Sequence, residues 1–138
     1  MRMICVMMIA ASLAGLSADL LRGLTGRTRP YAQVPQGFYG VRSGSEWLIT
    51  RHAYNSFPSG HTATIAGFAV PLLLWRRRLA WLVVPVISLV AAARVYLGAH
   101  HLTDILAGAL LGTLIAVAVF RRATLARGTI SESQPQAA

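Results

Sequence analysis

Four apolar stretches separated by short, Arg-bearing gaps constrain this chain more than any other feature. They run from Met3 to Leu21, from about Thr62 to Trp75, from Leu79 to Gly98 and from Leu102 to Phe120. Crossing a bilayer as a helix takes about 20 predominantly apolar residues. The second stretch must therefore recruit residues upstream to reach full length. The predicted fold class is all-α: an integral membrane helical bundle of about four transmembrane helices. Within the fourth stretch, Gly108 and Gly112 stand at the four-residue spacing that lets two helix backbones approach closely.

With 138 residues there is room for one domain, expected as a transmembrane domain over residues 1–122 followed by a polar, disordered tail over 123–138. Hydrophobic residues make up 55% and charged residues 12%, too apolar for an ordinary soluble domain. All 13 basic residues are Arg, against Asp19, Glu46, Asp104 and Glu132, for a formal charge of +9. Such an excess can mark nucleic-acid binding. Here the Arg residues are confined to the gaps and form no long basic face, so no nucleic-acid partner is expected; the bilayer is. Cys5, the single cysteine, cannot form an internal disulfide and reads as a buried apolar thiol. Arg2 ahead of an apolar run resembles a signal peptide, but Arg22 and Arg29 follow at once and must be held at the membrane surface, which favours a retained helix.

Arg2, Arg76, Arg77, Arg78, Arg121, Arg122 and Arg127 fall on one side of the predicted spans, which should be cytoplasmic. The opposite side carries Arg22, Arg27, Arg29, Arg42, Arg51 and Arg94. An Arg with a chemical task is not a topology signal, so this second side is expected to face outward. Between the first two stretches lies a polar loop from Arg29 to Phe57, of a length that is usually functional or disordered. Its Tyr39, Trp47 and Tyr54 either line a headgroup entrance or anchor the loop at the interface, and anchoring is the simpler reading.

Three clusters on that outward side suit phosphate chemistry. His100 and Asp104 are spaced i, i+4, so on a helix they share a face. A carboxylate bonded to one imidazole nitrogen fixes the tautomer and frees the other as nucleophile or base; the plainer reading is a loop His and a capping Asp. His101 points elsewhere and reads as surface or interfacial. Pro58-Ser59-Gly60-His61 opens the second stretch, where a helix N-terminus offers unpaired N–H groups to an anion. Ser59 suits an N-cap, Gly60 permits close backbone approach, and His61 could protonate a leaving group. Arg22, Arg29 and Arg94 end spans one and three, and Arg presents a planar fork of donors matched to phosphate oxygens.

Arg22-(six residues)-Arg29-Pro30, Pro58-Ser59-Gly60-His61 and Arg94-(five residues)-His100-(three residues)-Asp104 together resemble the three-part signature of the type 2 phosphatidate phosphatase superfamily, which shares its site with the vanadium haloperoxidases. The resemblance spans Arg22 to about Gly108 and is especially close over Ala93–His100. It implies that His100 attacks phosphorus and forms a phosphohistidine, that Asp104 orients it, and that His61 protonates the leaving group. Arg22, Arg29, Arg94, Ser59 and the Gly60 N–H would hold the phosphoryl oxygens. It also implies no metal and no cofactor.

Two positions depart from the family pattern. Arg22 stands where Lys is usual, and Ala93 where Ser is usual; the lost hydroxyl removes a hydrogen bond worth roughly 1 kcal/mol. Membrane members commonly have six helices, two of them before the first motif, so four spans would make either a shortened form of that fold or a sequence whose true start lies upstream. The function expected is an integral membrane, metal-independent phosphatase of a lipid phosphate or pyrophosphate, such as phosphatidate or undecaprenyl pyrophosphate. Its expected location is a bacterial inner membrane with the site on the periplasmic or extracytoplasmic side. The alternative is a catalytically weak or silent member that binds lipid phosphate or a membrane partner, motivated by Arg22, Ala93 and the shorter helix count. The transmembrane composition speaks against a vanadate-dependent oxidase.

Overall fold

A computed structural model describes the backbone of residues 2–132 and the side chains through Leu125. The helices are α1 (Arg2–Thr25), α2 (Gly60–Trp75), α3 (Ala80–Tyr96) and α4 (Leu102–Glu132). Three segments are long and apolar enough to cross a membrane: Arg2–Thr25, Arg77–Tyr96 and Leu102–Leu125. The second predicted span does not recruit residues upstream. Ser59 caps α2 in an extended conformation, with its Oγ facing the Thr62 N–H at 3.5 Å, so the helix begins at Gly60. Its 16 residues rise about 24 Å, short of the roughly 30 Å hydrocarbon core.

The end of α4 also departs from expectation. The helix continues ten residues and more past Phe120 to Glu132, through part of the segment predicted as a disordered tail. Arg121, Arg122, Ala123 and Leu125 are good helix formers, and the chain contains no Pro between Pro85 and Pro135 to stop it. Residues 133–138 lie outside the described residues.

Small residues hold the helices together. Ala10, Ala14 and Ala18 of α1 and Ala63 of α2 are fully buried, as is Ala116 of α4. Gly67 brings α2 against α1, where an added Cβ would meet the Ala10 carbonyl at 2.8 Å and the Ala11 Cα at 2.9 Å. The pair seen in the sequence has the role its spacing predicts: Gly108 rests on the backbone of Ser59, and Gly112 on the backbone of Ala63. These pairings make α4 parallel to α2, and α1 antiparallel to both. Large apolar side chains point outward instead, with Leu20 and Leu89 each 72% exposed. Small inside and large outside is the pattern of helices packed in lipid. Cys5 follows it and is exposed, since it lies off the Ala10–Ala14–Ala18 stripe; the expectation of a buried thiol fails. No residue of α3 is buried, and its main packing partner among the α-helices is α2.

α1 stops at Gly26, whose φ of +58° is open to glycine, and whose would-be Cβ would collide with the Gly40 backbone. That turn throws the chain across the end of the bundle. The loop beyond it is ordered by Thr28 N–H to Gly37 O at 3.1 Å, Arg29 N–H to Ala53 O at 2.8 Å and Tyr31 N–H to Gly98 O at 3.1 Å. It contains a two-strand hairpin, β1 (Arg42–Ser43) with β2 (Glu46–Trp47), and one 3₁₀ turn, His52–Tyr54. Tyr39 and Tyr54 meet edge to face at 5.4 Å, while Trp47 is 62% exposed with the Arg42 guanidinium 5.6 Å from its ring centre.

Candidate active site

The predicted site residues gather at the C-terminal ends of α1 and α3 and the N-terminal ends of α2 and α4, with Arg29 in the loop after α1 and His100 in the turn before α4. The loop is folded over this same end.

His100 is 2% exposed and sits in the turn before α4, not within it. Its Nδ1 lies 2.9 Å from the Ser56 carbonyl. A carbonyl can only accept, so Nδ1 carries the proton and Nε2 keeps its lone pair. Asp104 lies beside the ring, its Oδ2 at ion-pair distance from Nδ1, 3.6 Å. That is longer than a hydrogen bond, because His100 precedes the helix and its Nδ1–H is given to Ser56. Asp104 is itself fully buried and occupies the third position of α4. There its Oδ2 accepts from the His101 N–H at 2.8 Å, one arm of a capping box, and from Ser56 Oγ at 2.5 Å. Its Oδ1 pairs with Arg27 at 2.5 Å. Both sequence readings of this carboxylate therefore hold in part: it caps the helix, and it lies beside the histidine.

His101 is not a free surface residue. Its Nε2 lies 3.2 Å from the Thr28 carbonyl, tying the turn to the segment that bears Arg27 and Arg29.

At the start of α2, Ser59 is fully buried, and its Oγ accepts from Thr62 Oγ1 at 3.0 Å. The structure thus gives Ser59 the role of a cap. The N–H groups of Gly60 and His61 have no acceptor among the described residues, so they stay available to an anion. The His61 side chain is exposed and unpaired among the described residues, and the charges of Arg94, Arg22 and Arg29 all act on it.

The three predicted phosphate arginines differ in their surroundings. Arg22 pairs with Asp19 at 2.5 Å and comes within 3.3 Å of where a Cβ on Gly60 would stand; glycine there lets the guanidinium lie on the helix start. Arg29, 7% exposed, donates to three carbonyls: His52 at 3.0 Å, Ala99 at 3.3 Å and Asn55 at 3.2 Å. A guanidinium has five N–H donors, so two remain. Burial is the main influence holding Arg29 below the ordinary arginine range, with Arg22 and Arg94 adding repulsion. Arg94 makes no side-chain hydrogen bond or ion pair among the described residues, which leaves its whole fork free.

Sequence reasoning missed four residues. Arg27 was counted only as a loop charge, although Asp104, one of four acids in a chain with 13 Arg, needs a counterion once buried. Ser56, two residues before Pro58, carried no signal. Asp19 stands one helical turn before Arg22, a spacing that does predict their contact. His52 lies at the rim, its Nδ1 3.0 Å from the Tyr31 hydroxyl. The positive charge of Arg29, with burial and Arg22 and His100 behind it, lowers the His52 pKa.

Arg22, Asp19, Gly60 and His61 line a cavity of about 290 Å³ with Gly15, Thr64 and Ile65. Gly15, Asp19, Thr64 and Ile65 also line an apolar groove of about 930 Å³ between α1, α2 and α3, whose walls include Leu16, Phe68, Val83 and Ile87. Cavity and groove therefore adjoin across shared walls. Among the described residues no group of three or more His, Cys, Asp or Glu side chains is placed to hold a metal ion.

Comparison with known proteins agrees with this geometry. The chain is 30% identical over 118 residues to the bacitracin transport permease protein BcrC of Bacillus licheniformis, covering 86% of this chain and 54% of that protein. It is 34% identical over 117 residues to the lipid A 1-phosphatase of Rhizobium johnstonii, covering 81% and 46%. It is 29% identical over 140 residues to lipid phosphate phosphatase 1 of Arabidopsis thaliana, covering 84% and 43%. The chain thus spans about half the length of the curated relatives it matches. No solved structure matches it. The family pattern of the PAP2 superfamily is matched over residues 2–127, and since all three motifs within that range meet at one end of the bundle, the chain belongs to this superfamily.

Proposed function

We propose that this chain is an integral membrane phosphatase that hydrolyses a lipid phosphate or pyrophosphate through a phosphohistidine on His100. The observation that carries the reading is the state of His100. It is buried, its Nδ1–H is committed to the Ser56 carbonyl, and it shares one electrostatic neighbourhood with Arg22, Arg29, Arg94 and His61.

The reaction follows from that placement. Nε2 attacks phosphorus, forming a P–N bond as the P–O bond to the lipid breaks. The departing oxygen takes a proton from His61. Arg94, Arg22, the two spare Arg29 N–H groups and the α2 N-terminus hold the three equatorial oxygens as their charge grows. His61, now neutral, takes a proton from water as that water attacks phosphorus, forming a P–O bond as the P–N bond to His100 breaks. Inorganic phosphate leaves and His100 is restored.

A lipid substrate is supported by the groove. Its apolar walls share residues with the cavity at Arg22, Gly60 and His61, so a chain can stay in the bilayer while its phosphate meets those residues. The names of the relatives point the same way: a lipid A 1-phosphatase and a lipid phosphate phosphatase. Arg76–Arg78 and Arg121–Arg122 lie at the opposite end of the bundle, which supports a site on the extracytoplasmic side of a bacterial inner membrane.

A second reading, a lipid-phosphate binder without turnover, draws support from Asp19, whose carboxylate already occupies Arg22. The test is phosphate release by the purified, detergent-solubilised protein and its His100→Ala variant. Phosphatidate, phosphatidylglycerol phosphate and a polyprenyl pyrophosphate are offered with a chelator present. Release that survives chelation and is absent from the variant is the expected result. No release above the variant on any lipid would leave the binder reading standing.

A further inference from the structure

Ser56 occupies an unusual position between the nucleophile and the buried carboxylate. It is fully buried, and each of its three polar atoms is used. Its N–H donates to the Arg27 carbonyl at 3.0 Å, its Oγ–H to Asp104 Oδ2 at 2.5 Å, and its carbonyl accepts the His100 Nδ1–H at 2.9 Å. Asp104 stands 3.6 Å from the same nitrogen. The serine therefore touches both groups, with its hydroxyl on the carboxylate and its carbonyl on the imidazole.

Arg27 holds the other side of that path. Its NH1 bonds Asp104 Oδ1 at 2.5 Å and Thr103 Oγ1 at 2.7 Å. Its guanidinium carbon lies 4.9 Å from the Phe38 ring centre and 5.7 Å from that of Phe57. Those rings meet edge to face, so the fork is held between aromatic faces on loop segments far apart in sequence. Three side chains and one backbone hydrogen bond thus make a closed circuit: Arg27 to Asp104, Asp104 to the Ser56 hydroxyl, and the Ser56 N–H back to the Arg27 carbonyl.

We propose that Ser56 and Arg27 are positioning residues for His100: Ser56 fixes the carbonyl that binds Nδ1–H, and Arg27 fixes the carboxylate that holds both Ser56 and the ring. The inference rests on the phosphatase reading for its kinetic consequences, but not for its geometry. Ser56 locks the carbonyl that selects the Nδ1–H tautomer. Arg27 locks the carboxylate that holds Ser56. Neither touches the phosphate, so neither alters substrate binding.

The test uses the full-length protein in detergent, with ¹⁵N-labelled histidine and the His100 signal assigned by its loss in His100→Ala. Ser56→Ala keeps the backbone carbonyl but removes the hydroxyl. Arg27→Lys keeps the charge but removes the fork, and serves if the first variant fails to fold. In each, kcat is expected to fall about 10- to 100-fold, the loss of one hydrogen bond to a charged group, with KM within about twofold. The His100 ring is expected to change from one protonated nitrogen to a mixture of tautomers. The Ser56→Ala/Arg27→Lys double variant should lose less than the product of the single losses, because both act through Asp104. Folded variants that keep the wild-type tautomer and kcat would overturn the inference. A wild-type protein that releases no phosphate, while its variants still lose the tautomer, would sink the phosphatase reading and leave this one in place.

Discussion

Arg29→Lys separates two tasks that one side chain performs. The guanidinium reaches three carbonyls on two segments, His52 and Asn55 in the loop and Ala99 beside the nucleophile. A lysine keeps the charge but brings one nitrogen, which cannot span both segments. Two of the three charge-assisted hydrogen bonds are lost, at roughly 1.5–3 kcal/mol each. Because this end of the bundle borders water, the freed carbonyls are partly rehydrated, which places the expected loss near the low end, about 3 kcal/mol. Arg94→Lys is the matched control. With no side-chain partner among the described residues, it should change stability by no more than about 0.5 kcal/mol. The assay is unfolding in detergent, followed by tryptophan fluorescence without substrate, so that catalysis plays no part. Phosphate release is measured separately and should fall in both. If Arg29→Lys unfolds together with Arg94→Lys, the clamp is not structural and Arg29 serves the phosphate alone.

Further outcomes follow from other parts of the molecule. Gly112→Leu should force α4 away from the Ala63 backbone and lower stability by about 1–3 kcal/mol, read as a lower unfolding midpoint; an unchanged midpoint would mean the two helices are not in contact there. His52 has a lowered pKa in the fold, so the unfolded chain binds its proton first. Stability should therefore decline as pH drops below about 6.5, and His52→Gln should flatten that decline in a series of thermal midpoints. Ile87→Trp narrows the groove, so hydrolysis of long-chain lipid phosphates should fall while a short-chain analogue is spared; equal loss on both would remove the groove from substrate binding. His61→Gln should cost far less on an aryl phosphate, whose leaving group needs no proton, than on an alkyl lipid phosphate, and a rate comparison of the two substrates decides it.

What the sequence by itself determined was whatever depends on local pattern. Run length gives the four helices, three of them long enough to cross a bilayer, and the positions of Arg22, Gly60, Arg94 and Asp104 at or near their ends bring them to one end of the bundle. The spacing of Gly108 and Gly112 foretold a close helix contact, since four residues return to the same face. The limits of that logic appear where the chain is not helical. His100 and Asp104 were read as an i, i+4 pair, but His100 lies before the first turn of α4, so its partner became the carbonyl of Ser56. Ser59 was given to the phosphate and is turned inward to Thr62. Only the tertiary structure decided that Arg27 neutralises Asp104, that Arg29 clamps the loop, and that the site opens onto an apolar groove. Each of these depends on atoms from segments more than twenty residues apart meeting within about 3 Å, a distance that residue spacing along a loop does not encode.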